Sequence, residues 1–293
     1  MKKSLEKANV LIESLPYIRK FSGKTFVIKY GGAAMVDEKL KDAFAQDIVL
    51  LNFIGIKPVI VHGGGPKINK IMEKMGKKPT FIQGQRFTDE ETIDIVEMVL
   101  GGLINKQIVS LINSHGGCAI GMSGKDANLI KAKRKVIKKL SPETGVPEII
   151  DLGLVGEVEK VNPKILESID ASGFIPVIAP ISSGQKSRTL NINADYVAGA
   201  VASALKAEKL ILLTDVEGIK DKKNKLISSL STKKIKSLTT NGTISGGMLP
   251  KVQACQNAIN DNVKKTHIID GRIPHALLLE IFTEKGVGTE IVK

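Results

Sequence analysis

The sequence predicts an α/β fold in which a mainly parallel sheet is covered by helices on both faces. Short apolar runs that end in glycine, proline or aspartate alternate with longer segments that carry apolar residues at helical spacing. The short runs are almost continuously apolar, which is typical of parallel strands buried on both faces. No internal repeat and no low-complexity linker interrupts this alternation.

The elements follow one another in the order that this fold requires. The predicted strands are 25–30, 58–62, 118–122, 174–179, 210–214 and 267–270. The predicted helices are 38–53, 67–75, 90–112, 194–205, 249–260 and 275–282. Two further segments, 128–137 and 148–161, alternate apolar and polar residues, which indicates hairpins inserted into the α/β frame.

An apolar helical stripe precedes the first strand. Leu5, Ala8, Leu11, Ile12 and Leu15 recur at the spacing of one helix face. Such a helix either caps its own domain or serves as an arm exchanged between subunits. The spacing alone leaves both interpretations open.

The charge is strongly positive, with a formal net value of +13 over 293 residues. A nucleic-acid interface is nevertheless disfavoured, because only five of the 43 basic residues are arginine and aromatic residues make up 4%. A solvated lysine-rich surface is the simpler interpretation. Its field would also attract small anionic substrates.

Other features of the sequence concern its compartment. No apolar run approaches the roughly 18–20 residues of a membrane span, so we expect no integral membrane protein. The N-terminus lacks the apolar core of a secretory signal. The two cysteines, Cys118 and Cys255, are too few for a disulfide or zinc framework. We expect two buried thiols in a reduced, cytoplasmic setting.

Three glycine-rich turns follow predicted strands, at 31–32, 63–65 and 116–117. Glycine lets backbone amides approach an anion closely, and ligands of open α/β sheets bind beyond the carboxyl ends of strands. A helix that starts at Pro66 would direct its N-terminal amides at such an anion. Any one of these turns can also be only a tight turn. Residues 23–25 (GKT) do not form a P-loop, because Ile18 occupies the required glycine position, and Ile68 excludes the dinucleotide-binding fingerprint.

Two lysines and one aspartate accompany these turns. Lys29 interrupts an apolar run just before a glycine turn, and Lys251 opens a helix after Gly246 and Gly247. Taken singly, Lys29 can extend to solvent and Asp195 can be a helix cap. Together with glycine amides, two ammonium groups and an acidic organiser suit phosphoryl transfer, which depends on positioning and charge neutralisation.

Six motifs in fixed order carry a family resemblance. They are KYGG at 29–32, HGGGP at 62–66, QRFT at 85–88, NINAD at 191–195, LTDVEG at 213–218 and GGMLPK at 246–251. With these motifs the chain resembles the N-acetylglutamate kinases of the amino-acid kinase superfamily over residues 24–293. Single motifs are shared with carbamate, aspartate, uridylate and glutamate 5-kinases, whereas the combination is specific.

The resemblance implies a three-layer αβα sandwich and a reaction. Residues 1–22 would form an oligomerisation helix and 23–293 a kinase domain, with an acetylglutamate-binding lobe at 23–190 and an ATP-binding lobe at 191–293. ATP would phosphorylate the side-chain carboxylate of N-acetyl-L-glutamate, a step of arginine biosynthesis. Mg²⁺ would bind through ATP, without protein ligands.

The resemblance also assigns roles to residues. The catalytic residues would be Lys29, Lys251 and Asp195, and phosphate would be bound by the amides of Gly31, Gly32 and Gly64. The substrate would be held by Gly64, Gly65, Arg86 and Asn191, with the Arg86 fork on its α-carboxylate. The nucleotide would be bound by Thr214, Asp215 and Gly218. His62 is expected to be a structural residue at a strand end.

The C-terminal run 267–289 and the leading helix resemble the arginine-inhibited members. The effector L-arginine would then contact Tyr17, His267, Glu280 and Gly286, and the helices would interlace into a homohexamer built as a trimer of dimers. This favours the exchanged arm over the domain cap. Without the resemblance, Glu280 would be only the polar side of a helix. Because PII signalling protein activates some members in photosynthetic organisms, it is a further candidate partner.

Other functions remain to be compared with this one. A kinase for aminoadipate or free glutamate would use the same machinery. A catalytically silent arginine binder would not need Lys29, Asp195 and Lys251. A nucleic-acid-binding protein is the weakest alternative.

Overall fold

The computed structural model describes residues 2–140 and 147–293 and confirms the α/β expectation. The helices are α1 (Lys2–Phe21), α2 (Glu38–Phe53), α3 (Gly65–Lys74), α4 (Glu90–Glu97), α5 (Asn105–Ser114), α6 (Lys164–Ala171), α7 (Ala194–Ala204), α8 (Thr232–Thr240), α9 (Met248–Asn260) and α10 (Ala276–Phe282). The strands are β1 (Thr25–Tyr30), β2 (Lys57–His62), β3 (Phe81–Ile82), β4 (Gln85–Arg86), β5 (Ala119–Ser123), β6 (Ile130–Leu140), β7 (Pro147–Val161), β8 (Ile175–Ala179), β9 (Ile181–Ser183), β10 (Thr189–Ile192), β11 (Lys209–Thr214), β12 (Ser229–Ser231), β13 (Lys265–Asp270) and β14 (Thr289–Val292).

The central sheet has eight strands in the order β12-β14-β13-β11-β1-β2-β8-β5. Its neighbouring strands run parallel, except for the antiparallel pair of β13 and β14. All residues of β8 and β11 are buried, as their continuous apolar sequences predict. Because β1 lies between β11 and β2, the turns that follow these three strands meet at one edge of the sheet.

A second, smaller sheet stands beside the first. The segments predicted as separate hairpins are the two arms of one hairpin, β6 and β7, which pair antiparallel with register shifts. With β9 and β10 they close a four-stranded barrel. The prediction of inserted β structure is correct, but its pairing is not, because alternation identifies strands without identifying their partners.

The predicted helix at 90–112 is continuous from Glu90 to Ser114 and contains a π-helical segment, Met98–Ile104, between α4 and α5. By length and composition this helix could cross a membrane, which corrects the expectation that no stretch approaches that length. Of its most apolar window, 44% is buried, and Val96, Leu100, Ile104 and Ile112 belong to the hydrophobic core. A core helix meets the same criterion.

The leading helix α1 leaves its apolar stripe uncovered. Leu5 is 63% exposed and Leu11 is 71% exposed. The C-terminal end of the helix packs on the domain: Phe21 contacts the ring of Phe26, and Tyr17 contacts that of Phe282. The stripe therefore does not cap its own domain within one chain.

The two cysteines differ. Cys255 is buried, and burial raises the pKa of its thiol to about 12. Cys118 is exposed, so the expectation of two buried thiols is wrong for this residue. The reason is its place just before β5, the edge strand of the central sheet.

Candidate active site

A cleft of about 640 Å³ opens where β1, β2 and β10 end. The residues that the sequence assigned to catalysis, phosphate and amino-acid substrate all line it: Lys29, Gly31, Gly32, Gly64, Gly65, Arg86, Asn191, Asp195 and Lys251. The topology explains this convergence, since turns that are distant in sequence follow adjacent strands. The cleft joins glycine turns, one buried carboxylate and five cationic side chains, of which Lys29, Arg86 and Lys251 belong to the predicted site.

Lys29, Asp195 and Lys251 form what we call the cleft cluster. The Nζ atom of Lys29 lies 3.2 Å from Asp195 Oδ1, and that of Lys251 lies 3.0 Å from Asp195 Oδ2. Lys29 is buried and does not extend to solvent. Asp195 is not the cap of α7, because Asn193 occupies that position and its Oδ1 accepts from Asp195 N at 2.8 Å. Both simpler interpretations are therefore wrong.

The cleft cluster carries one positive charge in excess. Burial alone would raise the pKa of Asp195, but the ammonium groups of Lys29 and Lys251 outweigh that effect and lower it. Asp195 is thus an ionised carboxylate, and one negative charge faces two positive ones. A partly desolvated excess of positive charge at a cleft wall binds anions strongly.

The triple-glycine turn packs directly against the π-helical segment. A Cβ at Gly64 would lie 2.5 Å from Ile104 Cδ1 and 2.6 Å from Leu100 Cδ2, so no larger residue fits there without displacement. Helix α3 begins at Gly65 with proline in its first turn. Its first amides therefore open on the cleft that Gly64 and Gly65 line, an arrangement that favours an anion.

Arg86 lies on another wall of the cleft. Its guanidinium donates to Asn69 Oδ1, to the Gly65 carbonyl at 3.2 Å and to Met72 Sδ at 3.3 Å. These contacts use three of its five N–H donors, and the other two meet no acceptor in the described ranges 2–140 and 147–293. Arg86 is thus held in place with donors left for a carboxylate. Asn191 lines the same cleft.

A second pocket of about 620 Å³ contains part of the predicted nucleotide site. Asp215 and Gly218 line it, whereas Thr214 is buried at the end of β11 and does not. Met248 lines this pocket and Lys251 lines the cleft, so the first turn of α9 separates the two spaces. Sequence reasoning missed several lining residues, which lie outside the six motifs: Asp221, Asn224, Thr243, Ser245 and Arg272.

The structure also brings together the predicted effector residues. His267 Nδ1 lies 2.6 Å from Glu280 Oε1, and the amide of Val287, next to Gly286, donates to Glu280 Oε2 at 2.8 Å. Tyr17 contacts the same helix, α10, through Phe282. Glu280 is buried, so it is not simply the polar side of a helix.

Sequence reasoning missed Lys209, a further residue of this region. Lys209 Nζ lies 3.2 Å from His267 Nε2 and 5.3 Å from the centre of the Phe21 ring. We call Lys209, His267 and Glu280 the buried cluster. The signal that identified Lys29, a lysine bordering an apolar strand, is present at Lys209 as well.

No group of three or more His, Cys, Asp or Glu side chains arranged to hold a metal occurs among the described residues. The expectation that the protein supplies no metal ligands stays a prediction.

Comparison with known proteins places this geometry in a family. Residues 24–270 match the amino acid kinase family. The chain is 57% identical to an acetylglutamate kinase of Syntrophobacter fumaroxidans over 99% of its own length and 97% of that protein. It is 53% identical to an acetylglutamate kinase of Syntrophus aciditrophicus over 100% of its length and 99% of that protein.

Solved structures show the same fold at lower identity. An N-acetylglutamate synthase from Neisseria gonorrhoeae, complexed with coenzyme A and N-acetyl-glutamate, matches with a TM-score of 0.82 at 24% identity, over 98% of this chain and 63% of the synthase. A carbamate kinase from Giardia lamblia bound to AMP-PNP matches with a TM-score of 0.65 at 17% identity, over 92% of this chain and 99% of that kinase. Together with the full-length identities above 50%, the fold and the cleft lead to one conclusion: the chain belongs to the amino acid kinase family and, within it, to the acetylglutamate kinases.

Proposed function

We propose that the chain transfers the γ-phosphoryl group of ATP to the side-chain carboxylate of N-acetyl-L-glutamate, a step of L-arginine biosynthesis. The observation that carries this proposal is the cleft cluster, an excess positive charge in a cleft that glycine turns and Arg86 also line. The identity to acetylglutamate kinases supports the choice of substrate.

In this mechanism the protein positions charges and moves no proton. The substrate carboxylate is ionised at neutral pH, so its oxygen attacks the γ-phosphorus directly. The bond from that phosphorus to the β,γ-bridging oxygen breaks, and ADP leaves with the bond's electron pair. Lys29 and Lys251 neutralise charge on the transferring group, while Asp195 holds both ammonium groups in place. The product is an acyl phosphate.

The remaining residues bind and orient. Both N–H groups of Arg86 Nη2 are already used, so the two unpaired N–H groups, on Nε and Nη1, lie on different edges of the guanidinium. Arg86 would therefore bind the α-carboxylate through one of them and not as the expected fork, and Asn191 would bind beside it. The amides of Gly31, Gly32 and Gly64 would surround the phosphoryl group, and Gly65 would help to hold the amino acid. Asp215 and Gly218, which line the second pocket, would bind the nucleotide. Thr214, which is buried at the end of β11, would hold them in position.

Mg²⁺ would be held by the nucleotide, where it would supply charge neutralisation on the phosphates. Both oxygens of Asp195 are already paired with lysines, so this carboxylate is not available as a metal ligand. The donor set of the cleft therefore fits a metal that arrives with ATP.

The direct test is to trap the acyl phosphate with hydroxylamine. With ATP, we expect product from N-acetyl-L-glutamate and little from aminoadipate or free glutamate. Lys29→Ala should lower turnover by at least about a hundredfold, because it removes an electrostatic stabiliser of the transition state. Equal rates with all acceptors would contradict the proposed substrate. An unchanged rate in Lys29→Ala would contradict the mechanism. If the wild-type protein formed no product with any acceptor, a silent arginine binder would be the alternative.

We further propose that L-arginine inhibits the enzyme by binding near Tyr17, His267, Glu280 and Gly286. Their convergence around one buried carboxylate supports this proposal, since a guanidinium pairs well with a carboxylate. Millimolar arginine should raise the half-saturating concentration of N-acetyl-L-glutamate or lower the rate. If neither changes, the effector proposal is wrong.

We also propose that α1 mediates assembly into a homohexamer, a trimer of dimers. The exposed stripe that includes Leu5 and Leu11 supports this, because apolar helix faces are usually covered by another surface. Sedimentation velocity should show a hexamer for the full chain and a smaller species for Leu11→Glu. A monomer in both cases would contradict the proposal.

A further inference from the structure

Two buried polar residues lie behind the triple-glycine turn. His62 ends β2 and Asn105 begins α5, directly after the π-helical segment. They are 0% and 1% exposed. The Nδ2 atom of Asn105 lies 3.2 Å from His62 Nε2 and donates to the Val177 carbonyl at 2.9 Å. One amide group thus connects the long helix to the end of β2 and the middle of β8.

The hydrogen bonds of His62 define its tautomer. Its Nδ1 lies 2.9 Å from the Gly63 carbonyl, which can only accept, so Nδ1 carries a proton. Burial lowers the pKa of His62 to about 4, so the ring is neutral at neutral pH and Nε2 has a lone pair. The Asn105 amide donates to that lone pair. Asn105 therefore favours the Nδ1–H form over the other tautomer.

That tautomer orients a peptide of the cleft. In a trans peptide the carbonyl and the following N–H point in opposite directions. His62 holds the Gly63 carbonyl on the side of the sheet, so the N–H of Gly64 points away from His62, and Gly64 lines the cleft. Three consecutive glycines carry no side chain that could fix this peptide from within the turn.

Asn105 Oδ1 supports a role for the amide group. It is buried and has no hydrogen-bond donor among the described residues. A buried, unpaired oxygen costs on the order of 1–3 kcal/mol relative to a satisfied one. An apolar residue would avoid this cost but would leave His62 Nε2 without a donor. The Asn105 side chain therefore provides a donor for His62 at a cost in folding stability.

We propose that Asn105 and His62 are positioning residues for phosphoryl transfer: Asn105 holds the Nδ1–H tautomer of His62, and His62 holds the Gly63–Gly64 peptide with its N–H directed at the transferring group. This inference rests on the proposed function, in which the Gly64 amide contacts that group. Neither side chain touches substrate, and both act through the peptide.

Steady-state kinetics of three variants test the proposal. Asn105→Leu should lower kcat by about 10- to 100-fold and change the KM of each substrate by less than about threefold, because the Gly64 N–H matters most in the transition state. His62→Phe should do the same. The double variant should be no slower than His62→Phe, since Asn105 acts through His62. Thr266→Val, a buried polar change in β13 outside both pockets, serves as the control and should keep the wild-type kcat.

Nitrogen NMR of the imidazole provides a readout that does not depend on activity. In wild type, the ¹⁵N shifts of His62 should report a neutral ring protonated at Nδ1 at pH 7. Asn105→Leu should show a mixture of tautomers. Because these spectra need no substrate, they test the inference even if the proposed acceptor is wrong, and the wild-type spectrum tests it even if a variant does not fold.

Three results would overturn the inference. One is a wild-type His62 that is protonated at Nε2 or charged at pH 7. Another is a folded Asn105→Leu with wild-type kcat. The third is a double variant whose loss is the product of the two single losses, which would mean that the residues act independently.

Discussion

The cleft cluster and the buried cluster contain similar groups in different balance. Each places one carboxylate beside two nitrogen-bearing side chains. In the cleft cluster two ammonium groups face Asp195, which leaves one positive charge at the wall of an open cleft. In the buried cluster, Lys209 and Glu280 both contact His267. Burial lowers the pKa of His267, so its ring is neutral. The positive charge of Lys209 and the negative charge of Glu280 therefore cancel.

The difference indicates how each site takes a ligand. An excess charge beside a cleft is ready for an anion without rearrangement. A balanced cluster, whose carboxylate already pairs with His267 and the Val287 amide, can take a cation only if a partner moves. The first property suits the proposed catalytic role, and the second suits the proposed effector site, where binding must change the structure.

The largest expected effect comes from removing the excess charge. Lys251→Met should lower turnover by about 100- to 1000-fold, because a transition-state stabiliser is lost. Inorganic phosphate should then raise the melting temperature less than it does in wild type. Lys265→Met removes a half-exposed lysine paired with Glu290 and should keep turnover within about twofold. A comparable loss in both variants would indicate a general effect of charge.

The second-largest effect is expected when the excess positive charge of the cleft cluster is increased. Asp195→Asn should lower turnover by about 10- to 100-fold, because the two ammonium groups lose the carboxylate that orients them. The cluster charge would rise from +1 to +2. Sulfate should therefore raise the melting temperature of this variant more than that of wild type, as measured by differential scanning calorimetry at matched ionic strength. An equal sulfate response would show that the cluster does not govern anion binding.

A smaller effect is expected at the buried cluster. Glu280→Gln should raise the arginine concentration for half-inhibition by at least about tenfold, or about 1.4 kcal/mol, because the guanidinium loses its charged partner. Turnover without arginine should stay within about twofold of wild type. Inhibition curves measured by the trapping assay check both values. Unchanged inhibition would place the effector elsewhere.

The smallest effect concerns the backbone beside Glu280. Gly286 has φ of +60°, and a Cβ there would lie 2.6 Å from Glu280 Oε2. Gly76 has φ of +78° with nothing within 4 Å, so Gly76→Ala measures the backbone strain alone. Gly286→Ala should lower the free energy of unfolding by about 1 kcal/mol more than Gly76→Ala in urea titrations. Equal losses would mean that Glu280 moves aside easily.

The sequence predicted the fold where elements are long. The predicted strand 25–30 has the bounds of β1, and the predicted helix 38–53 has those of α2. The strands β3, β4, β9, β10, β12 and β14 were missed because two to four residues carry too little periodicity to be recognised. The short helices α6 and α8 were not predicted either. The π-helical segment was missed as well, since its apolar spacing does not differ visibly from that of an α-helix.

The site could be predicted where glycine turns and lysines coincide with strand ends. Lys29, Asp195 and Lys251 meet as expected, although their catalytic roles stay predictions. Lys209 and the pair of His62 and Asn105 could not be assigned from sequence. Their neighbours come from distant strands, so their contacts depend on strand order, which periodicity does not determine.

The amide of Ala33, next to the glycines that we propose to bind phosphate, donates to the carboxylate of Asp215 across the paired strands β1 and β11. Asp215 also lines the predicted nucleotide pocket. A ligand that draws this carboxylate toward itself would release the Ala33 amide. If Asp215 binds the nucleotide as proposed, a substitution at this residue would also alter the alignment of the glycine loop, so nucleotide binding and chemical rate should change together.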